Sequence, residues 1–163
     1  MTQVFNQIKK STVFAALLLT TVFMFSNCTK DSAGISASLN YSLSGSASGS
    51  QARPASSNSN GSGNFTGTYN AGSKIMNYTT TWTNLSGAPI NGGLYAGATG
   101  QIGTSISLWT LGSGLSTSGS FSSTTTLNAE QEAQLLAGKL YYVLGTAANA
   151  SGEIRGQISA SVQ

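Results

Sequence analysis

Apolar and polar residues alternate along most of this chain, and the period is two. Ile35, Ala37, Leu39, Tyr41 and Leu43 are separated by Ser and Asn, as in a half-buried strand. Phe65 and Tyr69 mark a second strand that ends near Asn70-Ala71-Gly72, and Met76, Tyr78, Thr80 and Trp82 share one face of a third. Residues 90–98 form a Gly-rich strand, and Ile102, Thr104, Ile106 and Leu108 alternate again. Further strands are predicted over 121–127, 140–144 and 153–162. The Ser/Gly/Asn stretch 44–63 and residues 112–119 read as loops. One helix is predicted, near 128–137. Asn128 is placed as N-cap, Gln131 follows three later as in a capping box, and Gly138 is placed as the stop. Its apolar face is Ala129, Ala133, Leu135 and Leu136. Short strands at such spacing, with Gly-rich turns and one small helix, predict an all-β sandwich or barrel.

The start of the chain has a different pattern. Lys9 and Lys10 precede an apolar run from Thr12 to Phe25, then Ser26, Asn27 and Cys28. The run falls short of the ~20 residues that span a bilayer and suits a signal h-region. Phe25-Ser26-Asn27-Cys28 resembles a lipobox, with Asn27 in place of the usual Gly or Ala, and is similar to the relaxed boxes of Bacteroidetes lipoproteins. The expected organisation is a signal peptide over 1–27, a lipidated Cys28 with a tether over 28–37, and one β-sandwich domain over 38–163. Several acyl chains on Cys28 would hold the protein to a bilayer where one chain would not. The expected location is the outer membrane, facing the periplasm or the cell surface.

Charge changes the picture little. The chain carries 7 Lys and Arg against 4 Asp and Glu, but Lys9 and Lys10 belong to the signal. What remains is Lys30, Arg53, Lys74, Lys139 and Arg155 against Asp31, Glu130, Glu132 and Glu153, with no basic run, so no nucleic-acid partner is expected. There is no His and a single Cys. An internal disulfide, an imidazole base and a His-ligated metal are thereby excluded. No cofactor is expected.

Few residues stand out as chemistry. Glu153 and Arg155, two apart on a strand, point to one face and could pair with each other or a neighbour. They lack a further carboxylate or nucleophile that catalysis would need, so a structural role is expected. The Trp and Tyr residues of the strands read mainly as core. Two are candidates for exposure and for contact with a protein or glycan partner: Trp109, out of phase with Ile106 and Leu108, and Tyr141, which must face away from Tyr142.

The C-terminal blocks carry a resemblance. Leu127 to Gln131, Leu135 to Tyr141, Thr146 to Asn149 and Gly152 to Ile158 are similar, in order and spacing, to the end of the CHRD (chordin-type) domain. Coverage is roughly residues 38–162. The resemblance implies an immunoglobulin-like antiparallel β-sandwich and no enzyme class, with Glu153, Arg155 and Gly156 as a structural motif. Members often carry histidines where this chain has Gly93, Tyr95 and Gly145. The expectation is a non-catalytic, lipid-anchored binding or structural module. The alternatives are a degenerate metal-binding or enzyme-derived domain, and a surface adhesin or matrix component.

Overall fold

The computed structural model describes residues 39–163. The expected signal peptide over 1–27, the expected lipidation site Cys28 and the expected tether over 28–37, with Ile35 and Ala37, lie outside the described residues. The elements are β1 (Asn40–Ser48), β2 (Ser62–Asn70), β3 (Ile75–Thr83), β4 (Pro89–Ala96), β5 (Thr104–Leu108), β6 (Gly119–Thr126), α1 (Ala129–Leu136), β7 (Leu140–Thr146) and β8 (Ile154–Val162). A single 3-10 turn, Gly49–Gln51, follows β1. The fold is all-β and antiparallel with one short helix. The strands lie in the order β5-β4-β7-β8-β1-β2-β3-β6 in one continuous sheet.

The inward face follows the period-two pattern. Leu43 of β1, Phe65 and Tyr69 of β2, and Met76, Tyr78 and Trp82 of β3 are all buried. Leu94 of β4, Leu140, Tyr142 and Leu144 of β7, and Ile154 and Ile158 of β8 complete one core. Aromatic rings knit it together. Phe65 stacks on Tyr78 with ring centroids 5.0 Å apart and lies 5.4 Å from Tyr142, spacings at which such pairs add stability beyond their buried area.

β5 and β6 end the sheet, and Trp109 joins them. Its amide donates to the Gly92 carbonyl at 2.9 Å. Its ring stacks on Phe121 of β6 at 4.9 Å, and its Nε1 donates to the Tyr78 hydroxyl at 2.8 Å. A Cβ at residue 92 would stand 2.6 Å from this ring, so only glycine admits it. The expected exposure of Trp109 is therefore corrected: it is 7% exposed. The cause is a bulge. Leu94 pairs with Ser107 and Tyr95 with Ser105, leaving Ile106 as an extra residue. Beyond a bulge the facing of the strand is reset. Leu108 consequently turns outward, 68% exposed, and Trp109 turns in.

The helix ends as the sequence predicts. The Asn128 side chain accepts from the Gln131 amide, and Gln131 Oε1 accepts from the Asn128 amide. At the other end Gly138 has φ +66, Lys139 donates to the Gln134 carbonyl and Gly138 to that of Leu135, which is a Schellman stop. Leu135 is buried, whereas Leu136 is largely exposed, so the apolar face is narrower than expected. Lys74 pairs with Glu132, which ties the β2–β3 turn to α1. The predicted loop 44–63 is shorter in the structure, because β1 runs on to Ser48 and β2 begins at Ser62.

Candidate functional site

The outer face of β4, β7 and β8 lies under residues 49–59 and 97–103. Two charged side chains sit beneath this cover, and they do different things.

Glu153 precedes β8 and has no exposed surface. Its carboxylate accepts hydrogen bonds from the hydroxyls of Ser59, Ser86 and Thr146, and from the Ser86 amide at 2.7 Å. Its amide donates to the Leu144 carbonyl at 2.8 Å, and its carbonyl accepts from Ser57 Oγ at 2.6 Å. One residue thus fastens the segment after β1, the β3–β4 turn and the end of β7. Burial pushes its pKa up, but the hydroxyl and amide donors outweigh burial and hold the carboxyl at about 2.

Arg155 is 2% exposed. Its guanidinium lies 3.7 Å above the Tyr141 ring, a cation–π contact. Nη2 donates to the Ala98 carbonyl at 3.0 Å, whereas Nη1 is buried without a hydrogen-bond partner. Burial lowers its pKa, Tyr141 raises it, and Arg53 lowers it further. Glu153 and Arg155 do not pair. Among the described residues the ion pair is Lys74–Glu132. Gly156 follows on the inward side, where a Cβ would meet the Tyr142 ring at 2.6 Å.

Tyr141 faces away from Tyr142, as the strand requires, yet it is only 4% exposed. Its expected exposure is corrected for a simple reason. Tyr95 stacks on its ring at 5.4 Å, Arg155 covers it, and its hydroxyl accepts from the Gly103 amide at 2.9 Å. Residues 97–103 are held down by their carbonyls. Arg53 Nε donates to Gly100, Arg155 to Ala98, and Gln157 Nε2 to Gly97.

Between these groups lies a cavity of about 160 Å³. Arg53, Pro54, Tyr95, Ile102, Tyr141 and Arg155 are among its walls, and no carboxylate is. Arg53 is absent from the residues expected to matter, although it is the one charged residue in the Ser/Gly-rich stretch 44–63. The serines and threonine around Glu153 carried no signal of their own in a chain so rich in hydroxyls.

The positions Gly93, Tyr95 and Gly145 come together. Gly93 pairs with Val143, Tyr95 with Tyr141 and Asn91 with Gly145, so all three lie on the outer face. Among the described residues no group of three His, Cys, Asp or Glu side chains stands close enough to hold a metal.

The rest of the outer surface is open. Over β2, β3 and β6 runs a groove of about 620 Å³ lined by Thr66, Thr68, Asn77, Thr79, Ser122 and Thr124, among others. Thr79 bonds Ser122 at 2.8 Å, and Thr124 donates to Asn77 Oδ1 at 2.7 Å. Among the described residues no helix is long and apolar enough to cross a membrane.

No curated protein and no solved structure matches the chain. The sequence pattern of the CHRD domain matches residues 43–158, from the inward Leu43 of β1 to the inward Ile158 of β8. With that match over most of its length, the chain belongs to the CHRD domain family.

Proposed function

We propose that this chain is a lipid-anchored, extracytoplasmic protein whose CHRD domain is a non-catalytic binding or structural module of the envelope. Cys28 carries the lipid, the bilayer is its first partner, and a protein or glycan is its second. The observation that supports the module reading is the use made of Glu153. Its carboxylate receives four hydrogen bonds from three loops and strands, and its pKa is pulled away from neutrality. A general acid or base needs a pKa near the working pH. Glu153 and Arg155 of the motif thus serve to hold loops over the sheet, and Gly156 makes room for the Tyr142 ring beneath it. The Ser-, Thr- and Asn-lined face over β2, β3 and β6 is left for contact with a partner.

Anchoring is tested by detergent phase partition of the full chain and of Cys28→Ala. The wild type is expected in the detergent phase and the variant in the aqueous phase. A variant that stays with detergent would refute lipidation at Cys28. Protease treatment of intact cells then separates the two locations: loss of the domain means the surface, protection until lysis means the periplasm.

A further inference from the structure

Two arginines and no acid share the cavity beneath residues 97–103. Arg155 is 2% exposed and keeps Nη1 without a partner. Arg53 uses Nε for the Gly100 carbonyl and Nη1 for those of Ser50 and Ala52, which leaves Nη2 without a protein partner. A guanidinium does not deprotonate, and a buried cation with an idle donor is costly unless something negative meets it. The described glutamates are engaged elsewhere: Glu132 with Lys74, Glu153 with hydroxyls, and Glu130, on the helix, with Gln134.

We propose that this cavity binds a small carboxylate whose body is about the size of one sugar ring, a uronic acid in chemical class. Three features carry the assignment. Arg53 Nη2 offers a free donor and Arg155 adds a second positive charge with no acid beside it, a set that suits a carboxylate, whereas a tetrahedral phosphate or sulfate asks for more donors. Of the remaining walls Pro54, Ile102, Val143 and the Tyr95–Tyr141 pair are apolar or aromatic, with Ser151 the one aliphatic hydroxyl, and they suit a carbon body better than a compact dianion. The volume of about 160 Å³ is below the ~300–1,000 Å³ of pockets for drug-sized ligands, so one ring with its acid is the largest fitting occupant. Ala98 and Gly100 already hold the two guanidiniums by their carbonyls, so the donors are placed before the ligand arrives. The proposal deepens the reading of the domain as a binding module. It is independent of the anchor, because the Cys28→Ala result bears on the lipid alone.

The test is calorimetric titration of the full chain in detergent, at low ionic strength and pH 7, with sodium glucuronate, glucose and inorganic phosphate. Saturable one-to-one binding of glucuronate is expected, with none of glucose and weaker binding of phosphate. Arg53→Gln, at a part-exposed position, should keep the circular dichroism of the wild type and weaken glucuronate at least tenfold. Glucuronate should also raise the unfolding temperature of the wild type but not of Arg53→Gln, since a ligand stabilises only the state that binds it. Absence of saturable glucuronate binding, or equal binding by the folded Arg53→Gln variant, would overturn the site. Phosphate binding more tightly than glucuronate would overturn the ligand class.

Discussion

The outer surface over β4, β7 and β8 and the outer surface over β2, β3 and β6 belong to one sheet and end in opposite states. The strands β2, β3 and β6 alternate inward residues with outward Ser, Thr and Asn, whereas β7 is apolar or aromatic over most of its length and buried on both faces. Over β2, β3 and β6 the outward residues stay in water as a hydroxyl ladder, with Thr79 against Ser122 and Thr124 against Asn77. Over β4, β7 and β8 the outward residues Tyr141 and Arg155 are almost as buried as the core. The difference lies in the outward residues of the strands and in what crosses them. Residues 49–59 and 97–103 lie over one face, anchored by Glu153, Arg155, Arg53 and Gln157 through backbone and hydroxyl groups. Covering a face turns surface charges into buried ones, and each buried charge then requires a full set of partners.

Breaking the covered side should cost most. Glu153→Ala leaves the hydroxyls of Ser59, Ser86 and Thr146 and the Ser86 amide without their acceptor. It should destabilise the domain by about 3 kcal/mol, read from the midpoint of urea unfolding. A smaller effect should follow acidification. The folded carboxyl titrates at about 2 against an ordinary 4.5, so its contribution is fully present above pH 4.5 and is lost as pH falls toward 2. That loss should be on the order of 2–3 kcal/mol, and Glu153→Gln should flatten the acid limb between those two values. The open side should hardly respond. Thr79→Ala removes one exposed hydroxyl bond and should shift stability by less than ~0.5 kcal/mol. An effect as large as that of Glu153→Ala would mean that the open face is also covered in the native protein.

Much of the fold was legible because the strands obey one rule. The buried set Met76, Tyr78, Thr80 and Trp82 is visible as a period of two, and the helix bounds follow from Asn128, Gln131 and Gly138. Where small residues face inward the rule loses its voice. Gly45 and Ala47 occupy inward positions of β1, so the run of large apolar residues stops at Leu43 while the strand continues to Ser48. The facing of Trp109 depends on one unpaired residue, Ile106, and nothing in the local pattern announces a bulge. The site was legible in part. Glu153 and Arg155 stood out as charges in a chain that has few. Their partners did not, because Ser59, Ser86 and Ala98 are brought to them from distant parts of the chain. For Tyr141, strand geometry fixes the side it faces but not what lies across that side.

The place of β1 in the sheet has a mechanical consequence. It is bonded on one side to β8 and on the other to β2, and its first residues lie beside the last residues of β8. A pull on the chain from its N-terminal side would run along the axis of an interior strand. Its hydrogen bonds to both neighbours would be loaded together, in shear, and not peeled one by one as at an edge. Forced unfolding is set by the height of the unfolding barrier, and a load shared across two ladders raises it. A load applied at that end is met by two ladders of hydrogen bonds at once.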